Sequence, residues 1–357
     1  MLRIKRHWQV FSTCLTLLAP LPVLAEDINQ EMQKAGTAMS RLIPFVYNDN
    51  QFRAANNREF IGQQLDQLIV SMEAAPRLVN NHALLRQISQ ASLLNQLRQA
   101  KTLFNTGNYA TAQFLLSGAP VICSSCHIQD GVSAKSAPVV NREHFANEFS
   151  YAEFNYYIRN YAVATAGYEK HLQLPDVKSS LIQGGKTLER LLDIGLITER
   201  NYDRTKEKLQ EYQQIPGLDL ELKLRLDQWI SGINTLARQD LAQVDLEPQV
   251  YKEFSEGFNL KHEFVFDETR RPLALVWRAE LQKRSLLATE PTQAARHLYL
   301  IAILERMLGE SPELSLANLY LKECVALNVA DYSLKCMNEY ENHLYFYYGG
   351  SDGENLP

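Results

Sequence analysis

Alternating apolar and polar residues, the pattern of a half-buried β-strand, are scarce in this chain of 357 residues. Leu, Ala, Gln, Glu and Arg dominate instead and recur at helical spacing. The sequence therefore predicts an all-α protein. At this length one compact core is unusual, so we expect two domains.

A basic stripe is also missing. The chain has 36 Lys and Arg against 41 Asp and Glu, and its formal net charge is −5. Domains that bind nucleic acid carry a clustered basic surface, because they must neutralise phosphates. We therefore expect no nucleic-acid partner.

Long apolar runs are limited to one stretch, Val10 to Leu24, which polar residues interrupt and three basic residues precede. The stretch is short for a membrane span, and Val23-Leu24-Ala25 fits the small-residue rule for cleavage before Glu26. We predict a signal peptide over residues 1–25 and no stable membrane span after cleavage. An uncleaved anchor is the alternative. Loss of the three basic residues takes the net charge from −5 to −8.

Cysteine is rare, with five in the whole chain, and Cys14 lies inside the predicted signal peptide. Cys324 and Cys336 are an even pair near the C-terminus. An exported chain meets an oxidising compartment, so we predict a disulfide between them. Two free buried thiols are the alternative.

The other two cysteines belong to Cys123-Ser124-Ser125-Cys126-His127. Cys-x-x-Cys-His is the attachment sequence of a c-type haem. The thiols of Cys123 and Cys126 can each form a thioether with one haem vinyl group, and His127 then becomes the proximal iron ligand. The sequence predicts one covalently attached haem c.

Two other uses of a Cys-x-x-Cys pair fit less well. A thioredoxin-like redox pair follows a strand and opens a helix, whereas a helical pattern precedes this motif and a loop containing Gly and Pro follows it. A zinc site needs more ligands, and the nearest later histidine is His144. Haem is attached to this motif outside the bacterial inner membrane, so motif and signal peptide together predict the periplasm of a Gram-negative bacterium.

Four amphipathic patterns lead up to the motif. They are expected as helices at Asp27–Pro44, Asn57–Ala75, Asn81–Asn105 and Tyr109–Ser117. Because glycine and proline interrupt helices, Gly118 and Pro120 are predicted to separate the fourth helix from the haem motif.

Four such helices with Cys-x-x-Cys-His at the end of the set resemble the class II cytochromes c, which include cytochrome c′ and low-spin relatives. The resemblance covers roughly residues 27–130 and implies a four-helix bundle with haem near one end. The segment from Met32 through Gly36 to Met39 is similar to the ligand segment of the low-spin branch. It implies Met32 as the sixth iron ligand. Met39 and His144 are the next candidates, and ordinary core packing is the alternative for both methionines.

A class I cytochrome c is a second interpretation of the motif, since Asp130-Gly131 and Ala137-Pro138 follow it. A class I domain also needs a ligand methionine within about a hundred residues downstream. The next methionine is Met307, so we favour class II.

The segment from Asn160 to Pro175 resembles the second helix of a tetratricopeptide repeat, with Ala164 and Tyr168 at matching positions. Residues 107–112 match the same turn signature. We predict a haem-binding bundle over residues 26–141, a helical, repeat-like domain over 142–345 and a flexible tail over 346–357. An irregular helical domain is the alternative to repeats.

These features favour a periplasmic monohaem cytochrome that transfers electrons, with the second domain docking a redox partner protein. We expect no enzymatic activity. A five-coordinate haem that binds or senses a small gas, and an assembly protein with a structural haem, are the alternatives.

Overall fold

The computed structural model describes residues 23–78, 84–130, 142–241, 244–255, 267–309 and 316–348. Within these ranges the chain forms sixteen α-helices and no β-strand, which confirms the predicted all-α fold. Most of the predicted signal peptide and of the predicted C-terminal tail lies outside the described residues. None of the described helices is long and apolar enough to cross a bilayer.

Four long helices and one short helix form the N-terminal part. They are α1 (Val23–Val46), α2 (Asp49–Arg53), α3 (Arg58–Leu78), α4 (Leu84–Asn105) and α5 (Tyr109–Asp130). The four long helices lie where the apolar patterns predict them. α1 packs on α3, α3 on α4, and α4 on α5, while α1 also contacts α5.

Cross-helix contacts fix the directions of these helices. Phe45, near the end of α1, packs on Phe60, near the start of α3, with ring centroids 5.5 Å apart. Gln90, early in α4, donates from Nε2 to the carbonyl of Met72, late in α3, at 3.1 Å. A tight turn at Gly107, where φ is 83°, reverses the chain between α4 and α5. Successive long helices are therefore antiparallel, and α1 and α5 also run in opposite directions.

The prediction that Gly118 and Pro120 break the chain before the haem motif is wrong. α5 continues through both residues as far as Asp130. A proline inside a helix costs about 3 kcal/mol, because it removes one backbone donor and crowds the preceding turn. Here Gly118, Ala119 and Pro120 are all buried, so packing of this helix turn offsets that cost. α1 likewise continues past Pro44 to Val46.

The rest of the chain forms eleven helices within the described residues. They are α6 (Glu148–Tyr157), α7 (Tyr161–Leu172), α8 (Pro175–Lys178), α9 (Leu181–Asp193), α10 (Tyr202–Gln213), α11 (Leu220–Leu236), α12 (Leu246–Val250), α13 (Arg271–Leu286), α14 (Pro291–Met307), α15 (Leu316–Ala326) and α16 (Ala330–Tyr348). Sequence neighbours pack as pairs, among them α6 with α7, α10 with α11, α13 with α14 and α15 with α16.

α7 lies in the segment from Asn160 to Pro175 that resembles the second helix of a tetratricopeptide repeat, and α6 precedes it as its partner. A Cβ atom added to Gly167 in α7 would lie 2.9 Å from the Cβ of Ala152 in α6. The two helices therefore approach so closely that only a residue without a side chain fits at position 167.

The predicted disulfide between Cys324 and Cys336 is confirmed. It joins α15 to α16 with the two Cα atoms 6.1 Å apart, and both residues are fully buried. Asn328 lies in the turn between these helices with φ of 52°, a left-handed conformation that asparagine tolerates well.

One buried apolar cluster contains residues from Ala35 in α1 to Cys336 in α16. α4 contacts α13 and α15, and α5 contacts α6 and α13. The helices that precede position 141 and those that follow it therefore share one core.

Candidate functional site

The haem motif occupies the last two turns of α5. Only the backbone of Cys123, Cys126 and His127 lies among the described parts of the structure; their side chains lie outside it. On a helix, residues three and four positions apart share a face. The spacing therefore places all three donors on the same side of α5, as attachment of one haem requires.

The motif continues the buried face of α5. Ala112, Leu115, Ala119 and Ile122 are each at most 8% exposed and follow one another at steps of three or four residues. Cys123 lies four residues after Ala119, and Cys126 lies four after Ile122. Cys123, Cys126 and His127 therefore lie on the same face of α5 as the residues that pack inside the bundle. A thiol pair and an imidazole in this position fit a haem held inside one end of the bundle.

A contact between α1 and α5 shows how far along the bundle axis the motif lies, which we call its level. The Nε2 atom of Gln113 donates to the carbonyl of Val46 at 2.8 Å. Met32 lies fourteen residues before Val46, and His127 lies fourteen residues after Gln113. With a rise of 1.5 Å per residue in antiparallel helices, both residues lie about 21 Å from that contact, at the same level.

Of the other two candidate ligands, Met39 lies at a different level from Met32, and the side chain of His144 is not described. Met39 is two helical turns closer to the Val46 end of α1, about 10 Å from the level of the motif. It packs against the buried apolar group of Ile43, Phe145 and Phe154. His144 ends a short 3-10 turn that begins at Arg142, and its side chain lies outside the described residues.

Sequence reasoning missed Met72 as a second methionine, besides Met32, near the level of the motif. Met72 of α3 is 8% exposed and belongs to the same buried cluster as the interior face of α5. Its helical spacing from Leu65 and Leu68 marks it as inward-facing, and that signal is visible in the sequence. Its position along the bundle depends on the antiparallel register, which the sequence does not supply.

A second group found only in the structure is a buried polar network between α6, α7 and α9. Arg190 donates from Nε to Oε1 of Glu153 at 2.7 Å and from Nη2 to Oε2 at 3.1 Å. The hydroxyl of Tyr168 donates to the same carboxylate, and that of Tyr157 does so at 3.2 Å. Burial alone would raise the pKa of Glu153, but the charge and hydrogen bonds of Arg190 hold this pKa below its usual value.

This network reaches the end of the bundle opposite the motif. Burial raises the pKa of Tyr47, just after α1, and the nearby Tyr157 and Glu153 raise it further. The guanidinium of Arg190 lies 5.0 Å from the ring centroid of Tyr156. The opposite charges of Arg190 and Glu153 pair with each other, so we assign the network to stability.

Among the side chains that the structure describes, no group of three or more His, Cys, Asp or Glu is placed to hold a metal ion. The side chains of Cys123, Cys126 and His127 are not among those described. Protein-family models, curated proteins and solved structures contain no match to this chain.

Proposed function

We propose that this chain is a periplasmic monohaem c-type cytochrome that transfers electrons. The observation that carries the proposal is the position of Cys123, Cys126 and His127. They share one face of α5, that face continues the interior side of an antiparallel bundle, and Met32 lies at the same level on α1.

The resemblance to class II cytochromes c gains support from the continuous α5. That family carries its motif on an unbroken last helix, and Gly118 and Pro120 do not interrupt the helix here. The family's chain normally ends soon after the motif, whereas 226 residues follow Gly131 in this chain. We therefore limit the resemblance to the first four long helices.

Each residue of the site has a separate role in this proposal. The thiols of Cys123 and Cys126 would hold the cofactor covalently, His127 would bind the iron through its imidazole, and Met32 would offer a thioether sulfur as the second side-chain ligand. When bound, haem c supplies a centre that gains and loses one electron. A methionine at the sixth position would make the binding of small molecules to the iron slow, so the chain would carry electrons and have no enzymatic activity.

Location and partner follow from the rest of the chain. The predicted signal peptide and the disulfide between Cys324 and Cys336 both fit an oxidising compartment outside the cytoplasm. The paired helices from α6 to α16 would provide the surface on which a redox partner protein docks. The net charge of −8 after cleavage favours a partner that presents basic residues.

The test is the absorption spectrum of the purified, reduced protein with and without CO. A sharp low-spin α-band that CO leaves unchanged within seconds of mixing, and replaces only slowly, supports electron transfer. A broad band that CO shifts indicates an open iron and favours gas binding. Cys126→Ala should prevent attachment through two thioethers, whereas Ser125→Ala, one residue away in the same motif, should retain it. Full two-thioether attachment in Cys126→Ala would contradict the proposal.

A further inference from the structure

Two independent routes place Met72 at the level of the haem motif. Phe45 packs on Phe60 at one end of α1 and α3. Met32 lies thirteen residues before Phe45, and Met72 lies twelve residues after Phe60, so the two methionines lie within about 2 Å of the same level.

The second route crosses α4. Gln90 donates to the Met72 carbonyl, and Gln96 donates from Nε2 to the carbonyl of Leu115 in α5. Six residues separate Gln90 from Gln96. The same step along the antiparallel α5 leads from Leu115 to position 121, two residues before Cys123. The first route places Met72 level with Met32 and therefore with His127. Together the two routes place Met72 level with the part of α5 from position 121 to His127, which contains the motif.

The arrangement of the helices places Met72 across the bundle from α5. α1 and α4 each pack on α3, and both also contact α5. α3 is thus the helix diagonal to α5. Its Met72 side chain is buried at 8% exposure, in the interior that the motif's face of α5 borders. Haem attached to that face would extend toward α3.

We propose that Met72 lies against the haem on the side away from His127 and closes the route by which a small ligand reaches the iron. The inference rests on the proposed haem function. Methionine suits this place because its unbranched, polarisable side chain fills irregular space beside a flat ring. Met32 would occupy the sixth position, and Met72 would restrict the space into which Met32 can move when another ligand displaces it.

The test compares the CO-binding rate of the reduced holoprotein, followed by rapid mixing, in three variants. Met72→Ala should accelerate CO binding about tenfold or more, which corresponds to about 1.4 kcal/mol of barrier, and leave the low-spin spectrum in place without CO. Met72→Leu, which restores most of the volume, should return the rate to near that of the parent. Met307→Ala, at a buried methionine on α14 outside the bundle, is the matched control and should change the rate little.

Three results would overturn the inference. Equal rates in Met72→Ala and Met307→Ala would show that Met72 does not border the route to the iron, and would remove the inference alone. Loss of the sulfur-ligand charge-transfer band in Met72→Leu would make Met72 the ligand in place of Met32, and would leave the proposed electron transfer intact. A parent protein without covalent haem would remove the proposed function together with this inference. If Met72→Ala does not fold, as far-ultraviolet circular dichroism would show, Met72→Val replaces it with the same expected direction.

Discussion

Arg190 and Glu153 form a two-point ion pair between α9 and α6, with nitrogen–oxygen distances of 2.7 and 3.1 Å. The Glu153 side chain is only 5% exposed. Planar two-point pairing of this kind is specific to arginine, because the guanidinium presents two parallel donors. The pair holds α9 against the helix pair that follows the bundle.

Arg190→Met should destabilise the fold by about 3–5 kcal/mol, since it leaves the Glu153 carboxylate buried without a partner. Urea unfolding followed by circular dichroism measures this change. Asp49→Ala removes the exposed ion pair with Arg53 and should lower the unfolding free energy by less than about 1 kcal/mol. Equal costs for the two variants would show that the buried pair contributes no more than a surface one.

The same pair predicts a dependence of stability on acid. The pKa of Glu153 is lowered in the folded state from its usual value near 4.5, so the unfolded chain binds the proton more readily. The stability that this carboxylate contributes is present above pH 4.5 and is lost as the pH falls through the lowered pKa. Glu153→Gln should show a smaller loss of unfolding free energy over that interval than the parent protein.

His297 predicts a second acid dependence at higher pH. Burial and the charges of Arg296 and Arg284 lower its pKa from 6.5 to about 4. The neutral imidazole is therefore favoured in the fold, and its contribution is complete above pH 6.5 and declines as the pH falls toward 4. Partial exposure screens these charges, so we expect a loss on the order of 2 kcal/mol. His297→Gln should flatten the stability profile between pH 6.5 and 4; an unchanged profile would contradict the assignment.

The disulfide between α15 and α16 should contribute measurably to stability. Its cysteines are twelve residues apart, and closing a loop of that size stabilises a fold by about 3 kcal/mol. Paired Cys324→Ala and Cys336→Ala substitutions should lower the unfolding free energy by about that amount. Reduction of the parent protein by a thiol should lower its unfolding free energy by a similar amount. An unfolding free energy that reductant does not change would contradict the predicted contribution of the disulfide.

Gly167 and Gly62 are a matched pair of helical glycines with opposite surroundings. A Cβ at Gly167 would lie 2.9 Å from that of Ala152, whereas no atom lies within 4 Å of a Cβ at Gly62. Gly167→Ala should destabilise the fold by about 1–3 kcal/mol through overpacking. Gly62→Ala should stabilise it by up to about 1 kcal/mol, because alanine favours the helix. The second substitution Ala152→Gly should relieve the strain of Gly167→Ala, and a failure to do so would place the strain elsewhere.

The elements that the sequence predicts correctly depend on local signals. Helical spacing of apolar residues identifies the four long N-terminal helices, and the cysteine pair near the C-terminus identifies the disulfide. The continuity of α5 is not predictable in this way, because buried packing around Pro120 outweighs the local tendency of proline to break a helix. Glu153 and Arg190 are 37 residues apart, and no periodic pattern links them. Met72 is recognisable as a core residue, but its level depends on contacts between three helices.

The core shared by α4, α5, α13 and α15 has a consequence for the order in which the protein matures. Chains are made from the N-terminus, so α5 and its cysteines are complete about 140 residues before α13 emerges. During that interval the sides of α4 and α5 that later contact α13 and α15 have no partner. If a cofactor is attached at this stage, it meets a bundle that α13 and α15 have not yet covered. Completion of α13 and α15 would then cover that apolar surface, so the timing of synthesis would separate the two steps.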